Sequence, residues 1–158
     1  MKLRFQKDAI VNGINIVMKA VPSKTTMSIL ECILIDASTG EIKLTGNDME
    51  LGIETKVEGS ILERGKIALE AKLFYEIIRK LPDGDTPVTI TSDNRFNTVI
   101  ECENAVFNIQ GRDGEEFSYL PYIERDQHIS LTQFTLKEAI RQTIFSISPK
   151  IFCWQVRL

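Results

Sequence analysis

Residues Lys66–Gly84 read Lys-Ile-Ala-Leu-Glu-Ala-Lys-Leu-Phe-Tyr-Glu-Ile-Ile-Arg-Lys-Leu-Pro-Asp-Gly, and this stretch sets the pattern for the chain. Lys66 to Leu69 has the character of a short strand. Lys72 to Leu81 has that of a helix, because Phe74, Ile77, Ile78 and Leu81 recur at a spacing that puts them on one face. Pro82-Asp83-Gly84 then stops the helix. Downstream, Val88 to Thr91, Thr98 to Cys102 and Ala105 to Ile109 read as three more short strands.

Upstream the same order occurs once before. Leu3 to Phe5 is strand-like, and from Asp8 to about Ala20 the residues Ile10, Val11, Ile14, Val17 and Met18 fall at helical spacing. Asp8, Asn12, Asn15 and Lys19 occupy the opposite face. Ile29 to Ile35, Ile42 to Thr45 and Leu51 to Val57 then read as strands, separated by turn signals at Thr39-Gly40 and Gly46-Asn47-Asp48. Strand, helix, strand, strand, strand therefore appears twice before about residue 112, as a repeat of pattern with little identity. A third copy opens at Ile129-Ser130-Leu131. Its helix should enter through a capping box, Thr135-Leu136-Lys137-Glu138, with an apolar stripe of Leu136, Ala139, Ile140, Ile144 and Ile147. Between the second and third copies, the acidic, turn-rich stretch Gly111 to Pro121 reads either as an inter-domain connector or as a loop packed on its own domain. The fold class expected is α+β, in two strand-helix-strand-strand-strand halves. The domains expected are residues 1–124, the start of a second domain over 125–148, and an off-pattern tail over 149–158.

The 158 residues carry 19 Lys and Arg against 22 Asp and Glu, so bulk charge names no partner. Hydrophobic residues at 43% suit a chain that buries roughly 70% of its unfolded surface. No apolar run approaches the roughly 20 residues of a membrane helix, and no signal peptide is visible, so the expected compartment is the cytoplasm. Cys32, Cys102 and Cys153 are widely spaced and read as reduced thiols. Distribution of charge says more than its total. From Glu31 to Glu63 the segment is acidic, whereas the helix faces and the loop after the first helix carry Lys19, Lys24, Lys72, Arg79, Lys80, Lys137 and Arg141. Helices gathered on one surface would give an acidic molecule a basic face able to meet phosphates without reading sequence. Ordinary solvated helix faces would show the same residues.

Val17 to Leu30, followed by Leu44-Thr45-Gly46-Asn47-Asp48-Met49-Glu50-Leu51, resembles the first domain of the bacterial DNA polymerase III β subunit, the sliding clamp. Ala71 to Pro82 resembles that family's second helix, and Gly111 to Pro121 its end-of-domain signature. The resemblance covers about residues 1 to 148. It implies the DNA-clamp fold, with helices on one face and sheets on the other, and a homodimeric ring around duplex DNA. The ring tethers DNA polymerase III, is opened by a clamp loader, and performs no covalent chemistry. It further implies that Lys24 and Lys72 approach the DNA backbone. Asn104 to Ile109, with Phe107 and Ile109, and the helix around Ile77 are implied to form the edge that meets the neighbouring subunit. Gly114 and Ser118 stand where the family more often has Ala and Pro. After Ser148 the pattern departs entirely, through Pro149 to Leu158 with the chain's single Trp154. The expectation drawn from this is a shifted reading frame or broken gene, a fragment that does not itself clamp DNA; a join to the true C-terminal strand is the alternative.

Other chemistry has little support. His128 stands alone in a polar stretch, and neither a metal nor a cofactor is expected. Asp48 with Glu50, and Asp83 with Asp85, could pair carboxylates, yet Gly-Asn-Asp and Pro-Asp-Gly-Asp are turn sequences. No phosphate-binding glycine loop or nucleophile elbow is present, and no enzyme is expected. The competing reading is a small α+β protein–protein interaction module with no DNA role, using an exposed strand edge.

Overall fold

The computed structural model describes residues 1–117 and 130–146. The chain divides into two units, Met1–Pro121 and Tyr122–Leu158. In the first, β1 (Lys2–Phe5) and α1 (Lys7–Val17) are followed by β2 (Cys32–Asp36), β3 (Ile42–Asn47), β4 (Gly52–Val57) and β5 (Ser60–Glu63). Then β6 (Lys66–Glu70) and α2 (Ala71–Lys80) lead into β7 (Val88–Ser92), β8 (Asn97–Cys102), β9 (Ala105–Gln110) and β10 (Arg112–Asp113). The doubled order is present, with a short closing strand added to each half.

The two halves exchange strands. One sheet has the order β5-β1-β7-β8-β9, and the other β10-β6-β2-β3-β4. The three-stranded meander of each half thus pairs with the first strand of the other half: Leu3 lies opposite Ile90, and Ile33 opposite Leu69. All these pairings are antiparallel. One core lies beneath both helices. Ile10, Ile14 and Val17 of α1 and Phe74, Ile77 and Ile78 of α2 meet Leu3, Ile90 and Ile100 of one sheet and Ile35, Leu44 and Leu69 of the other. Burial of each such side chain contributes about 1.5–3 kcal/mol, so the amphipathic helices are held by the sheets rather than by propensity alone.

At the end of each meander the chain must cross from one sheet to the other, and a glycine stands at both crossings. Gly59 precedes β5, and Gly111 precedes β10. A Cβ on Gly59 would lie 2.7 Å from the Arg4 carbonyl oxygen, and one on Gly111 would lie 2.6 Å from Ile67 Cδ1. At Gly59 the neighbour is backbone and leaves no room for a side chain, whereas at Gly111 the Ile67 and Leu69 side chains would have to shift.

Several expectations are corrected. Ile29 to Ile35 is not one strand: Ser28–Glu31 is a 3-10 turn, and only Cys32 onward pairs. The turn buries Leu30 and packs Ile29 on a second apolar cluster of Cys32, Leu34, Ala68 and Phe117, covering the sheet face turned away from the main core. The stretch from Arg112 to Phe117 is part of the domain, because β10 pairs with β6 and Phe117 is 1% exposed. Strands β5 and β10 were absent from the sequence reading. Cys32 and Cys102 are buried free thiols, both pushed up by burial, and Cys153 lies outside the described residues.

In the second unit, α3 spans Gln133–Thr143. The expected capping box does not form. Thr132 caps the helix one turn earlier, its Oγ1 accepting from the Thr135 amide at 3.1 Å, and Glu138 pairs with Arg141 at 3.0 Å instead. Ser130 and Leu131 pair with no strand among the described residues, and Ile129, Ile147 and the tail lie outside them. Leu136, Ile140 and Ile144 of the expected stripe are exposed.

Two outcomes follow from this architecture. Fragments 1–64 and 65–121, made separately, each lack the partner for their meander, so each should give the circular dichroism of an unfolded chain. Mixed, they should recover the spectrum of the intact domain, and a folded single fragment would contradict the exchange. Gly59→Ala should lower stability by about 1–3 kcal/mol in urea unfolding through overpacking at the crossing. Gly84→Ala, whose Cβ would meet only Glu103 Oε1 at 3.4 Å, should change it little.

Candidate nucleic-acid interface

Helices α1 and α2 pack against each other, each burying its apolar face, so their polar faces remain for solvent. The polar face of α1 exposes Asp8, Asn12 and Asn15, and Lys19 follows in the 3-10 turn Met18–Ala20. That of α2 exposes Lys72, Glu76, Arg79 and Lys80, three cations and one acid. The basic character is therefore one-sided: α2 and the segment after α1 carry it, and α1 itself is close to neutral.

These cations differ in freedom. Lys80 lies 3.9 Å from Glu76, one turn back, and Arg79 lies over the Tyr75 ring at 5.7 Å from its centroid. Such exposed contacts contribute about 0.5 kcal/mol and are easily given up. Lys19, Lys24 and Lys72 are exposed and form no salt bridge with another described residue. Lys72 lines a small hollow of about 60 Å³ with Val21, Pro22, Glu31 and Glu70. The start of α2 thus meets the loop that carries Lys24. Lys137 and Arg141 are exposed on α3 of the second unit, Arg141 being tied to Glu138. A further cation, Lys7, was not singled out from sequence and is not available: its Nζ donates to the Leu81 carbonyl and to Asp83, pinning the start of α1 to the end of α2.

The sheets carry the acids. In the segment Glu31 to Glu63, its two lysines are spent on their neighbours, Lys43 on Glu54 at 3.0 Å and Lys56 on Glu41 at 2.8 Å. The Lys56 hydrogen bond holds the Glu41 carboxyl below its usual range. Glu31, Glu50 and Glu58 remain exposed. Of the carboxylate pairs, Asp48 is a turn device, its Oδ1 accepting from the amides of Glu50 at 3.0 Å and Leu51 at 2.6 Å, whereas Asp83 receives Lys7 from the start of α1. Among the described residues no group of three His, Cys, Asp or Glu could hold a metal ion, and none of the described helices is long and apolar enough to cross a membrane. His128 lies outside the described residues.

At the far edge of its sheet, β9 has one side unpaired among the described residues. Asn104 is exposed in the turn before it, and Phe107 is half-buried on it. Ile77 and Ile109 are 7% and 9% exposed and pack in the core, so they can support that edge from beneath more than touch a neighbour. Val106, 56% exposed on the same strand, lies within the expected Asn104 to Ile109 edge without having been singled out there, although its alternation with Phe107 carried the signal.

Residues 1–121 match the family model described as DNA polymerase III beta subunit, N-terminal domain. The chain is 38% identical to the beta sliding clamp of Bacillus subtilis, over 94% of this chain and 41% of that protein. Among solved structures it is similar to a chain described as a DNA polymerase III beta subunit from Eubacterium rectale, at 64% identity and a TM-score of 0.86, covering 92% of this chain and 39% of that one. It is also similar to the Bacillus subtilis sliding clamp, at 37% identity and a TM-score of 0.88, covering 97% and 42%. The chain spans about 41% of the length of the relatives it matches. With exchanged meanders beneath two side-by-side helices, and a family match running from residue 1 to residue 121, the chain belongs to the DNA polymerase III beta subunit family through that family's N-terminal domain.

Proposed function

We propose that this chain supplies the N-terminal domain of a ring-forming sliding clamp, a processivity factor of bacterial DNA replication in the cytoplasm that holds DNA polymerase III on duplex DNA. It acts without sequence specificity and without a chemical step. The observation that carries this reading is the set of exposed cations on α2 and the segment after α1: Lys19, Lys24 and Lys72 form no salt bridge with another described residue, while Lys43 and Lys56 of the acidic segment are each spent on a glutamate. Lys24 and Lys72 make the phosphate contacts, Arg79 and Lys80 extend them along α2, and Lys137 and Arg141 do the same from the second unit. Cations on helix faces touch phosphates rather than base edges, which lets a ring slide. The β9 edge, with Asn104 outward, Phe107 half-buried on the strand and Ile77 and Ile109 beneath, receives the neighbouring subunit of a homodimeric ring. Residues 125–148 begin the second clamp domain, and a loader opens the ring. A second reading, an interaction module with no DNA role, draws on the same open edge and the exposed Val106.

Replacing Lys24 and Lys72 together by Glu in the 158-residue chain separates the two. Under the clamp reading, anisotropy with two unrelated duplexes should show binding weakened about tenfold for both, and the slope of log affinity against log salt reduced by about 1.8, at 0.9 per phosphate contact. Unchanged affinity and slope would overturn the clamp reading.

A further inference from the structure

On the sheet face turned away from the main core, a hollow of about 300 Å³ opens where the chain crosses from β9 to β10. Its floor includes Cys32 and Ala68, both buried, and its rim carries Glu31, Glu70 and Arg112, all exposed. Elsewhere on this sheet neighbouring acid and base close on one another, as Lys43 does on Glu54. Here they do not: neither a salt bridge nor a side-chain hydrogen bond joins Glu31, Glu70 or Arg112 to another described residue. The three charges nevertheless converge. At the Cys32 thiol, which burial pushes up, Arg112 pulls down while Glu70 and Glu31 push further up.

Sheet register sets their spacing. Arg112 stands opposite Ala68 on β6, and Glu70 lies two residues further along that strand, opposite Cys32. Arg112 and Glu70 are thus diagonal neighbours across two strands, about 7–8 Å apart, and alternate side chains on one side of an extended chain stand about 6.6 Å apart. A partner strand with an acid and a base at alternate positions can therefore reach both charges at once.

We propose that this hollow receives an extended segment of a partner protein bearing an acidic and a basic residue two positions apart, the acidic one on Arg112 and the basic one between Glu31 and Glu70. The guanidinium of Arg112 takes a carboxylate by paired hydrogen bonds, and the buried floor lowers the local dielectric, so the pairs form more strongly than on open surface. Two carboxylates on the rim repel phosphate, which excludes a nucleic acid as occupant. Arg112 is not among the cations assigned to duplex DNA, whereas Glu31 and Glu70 also line the smaller hollow that Lys72 borders, so the two sites are neighbours and are told apart by Arg112 on one side and by Lys24 with Lys72 on the other.

The test is amide NMR of the 158-residue chain titrated with the acetylated, amidated peptide Ala-Asp-Ala-Arg-Ala. Saturating shifts confined to Ser28–Cys32 and Gln110–Arg112, weakened by salt, are expected. Glu31→Gln with Glu70→Gln should weaken binding about tenfold with the rest of the spectrum unmoved, and a peptide with Asp and Arg adjacent should bind more weakly than the spaced one. Arg112→Glu should prefer a peptide in which Arg replaces the Asp. Absence of saturable shifts at these amides, or equal binding by the parent and the double Gln variant, overturns the proposal.

Discussion

Everything in the first unit depends on the antiparallel pairing of β1 with β7 and of β6 with β2. These two ladders tie each meander to the opening strand of the other half. The consequence is a shared core: the apolar faces of α1 and α2 rest on residues drawn from both halves, and neither helix could bury its stripe on strands of its own half alone. Backbone pairing of this range is costly in chain entropy until it is complete. The domain is therefore cooperative by construction, with the helices placed side by side because the sheets beneath them are interlocked.

The same placement produces the electrostatic division. Lysine and arginine have long stems that lie across apolar helix surface with the charge in water. On α2 that leaves Lys72, Arg79 and Lys80 on one exposed face. On the strands of the acidic segment a neighbouring carboxylate is within reach, and Lys43 with Glu54 or Lys56 with Glu41 close accordingly. A net acidic chain can thus keep unspent positive charge at Lys72 and in the segment after α1 while the lysines of its acidic strands are spent.

Long periodic elements were legible in the sequence: α1 and α2 and the strands of both meanders stand where the spacing of Ile14, Phe74, Ile77 and Ile100 puts them. What was illegible was short or distant. Strands of four and two residues, β5 and β10, offer too few positions for a period. Ile29 and Leu30 look like strand residues, yet a 3-10 turn buries Leu30 and packs Ile29 on the second apolar cluster. Thr135 resembles a cap because a second threonine, Thr132, three residues upstream, competes for the same role and satisfies an earlier amide. Among candidate site residues, exposure of the α2 cations followed from amphipathicity, whereas the use of Lys7 did not, since its partners lie 74 and 76 residues away. Likewise Ile77 reads as a possible contact residue until its neighbours in the core are known.

The paired crossings at Gly59 and Gly111 also bear on how the two sheets share a load. Each marks the point where a half leaves the sheet it completes for another and turns back to its own opening strand. The strands on the two sides of each crossing belong to different sheets, β4 and β5 at one and β9 and β10 at the other. The crossings therefore act as rivets: a change that widened either one would loosen both sheets together rather than one alone.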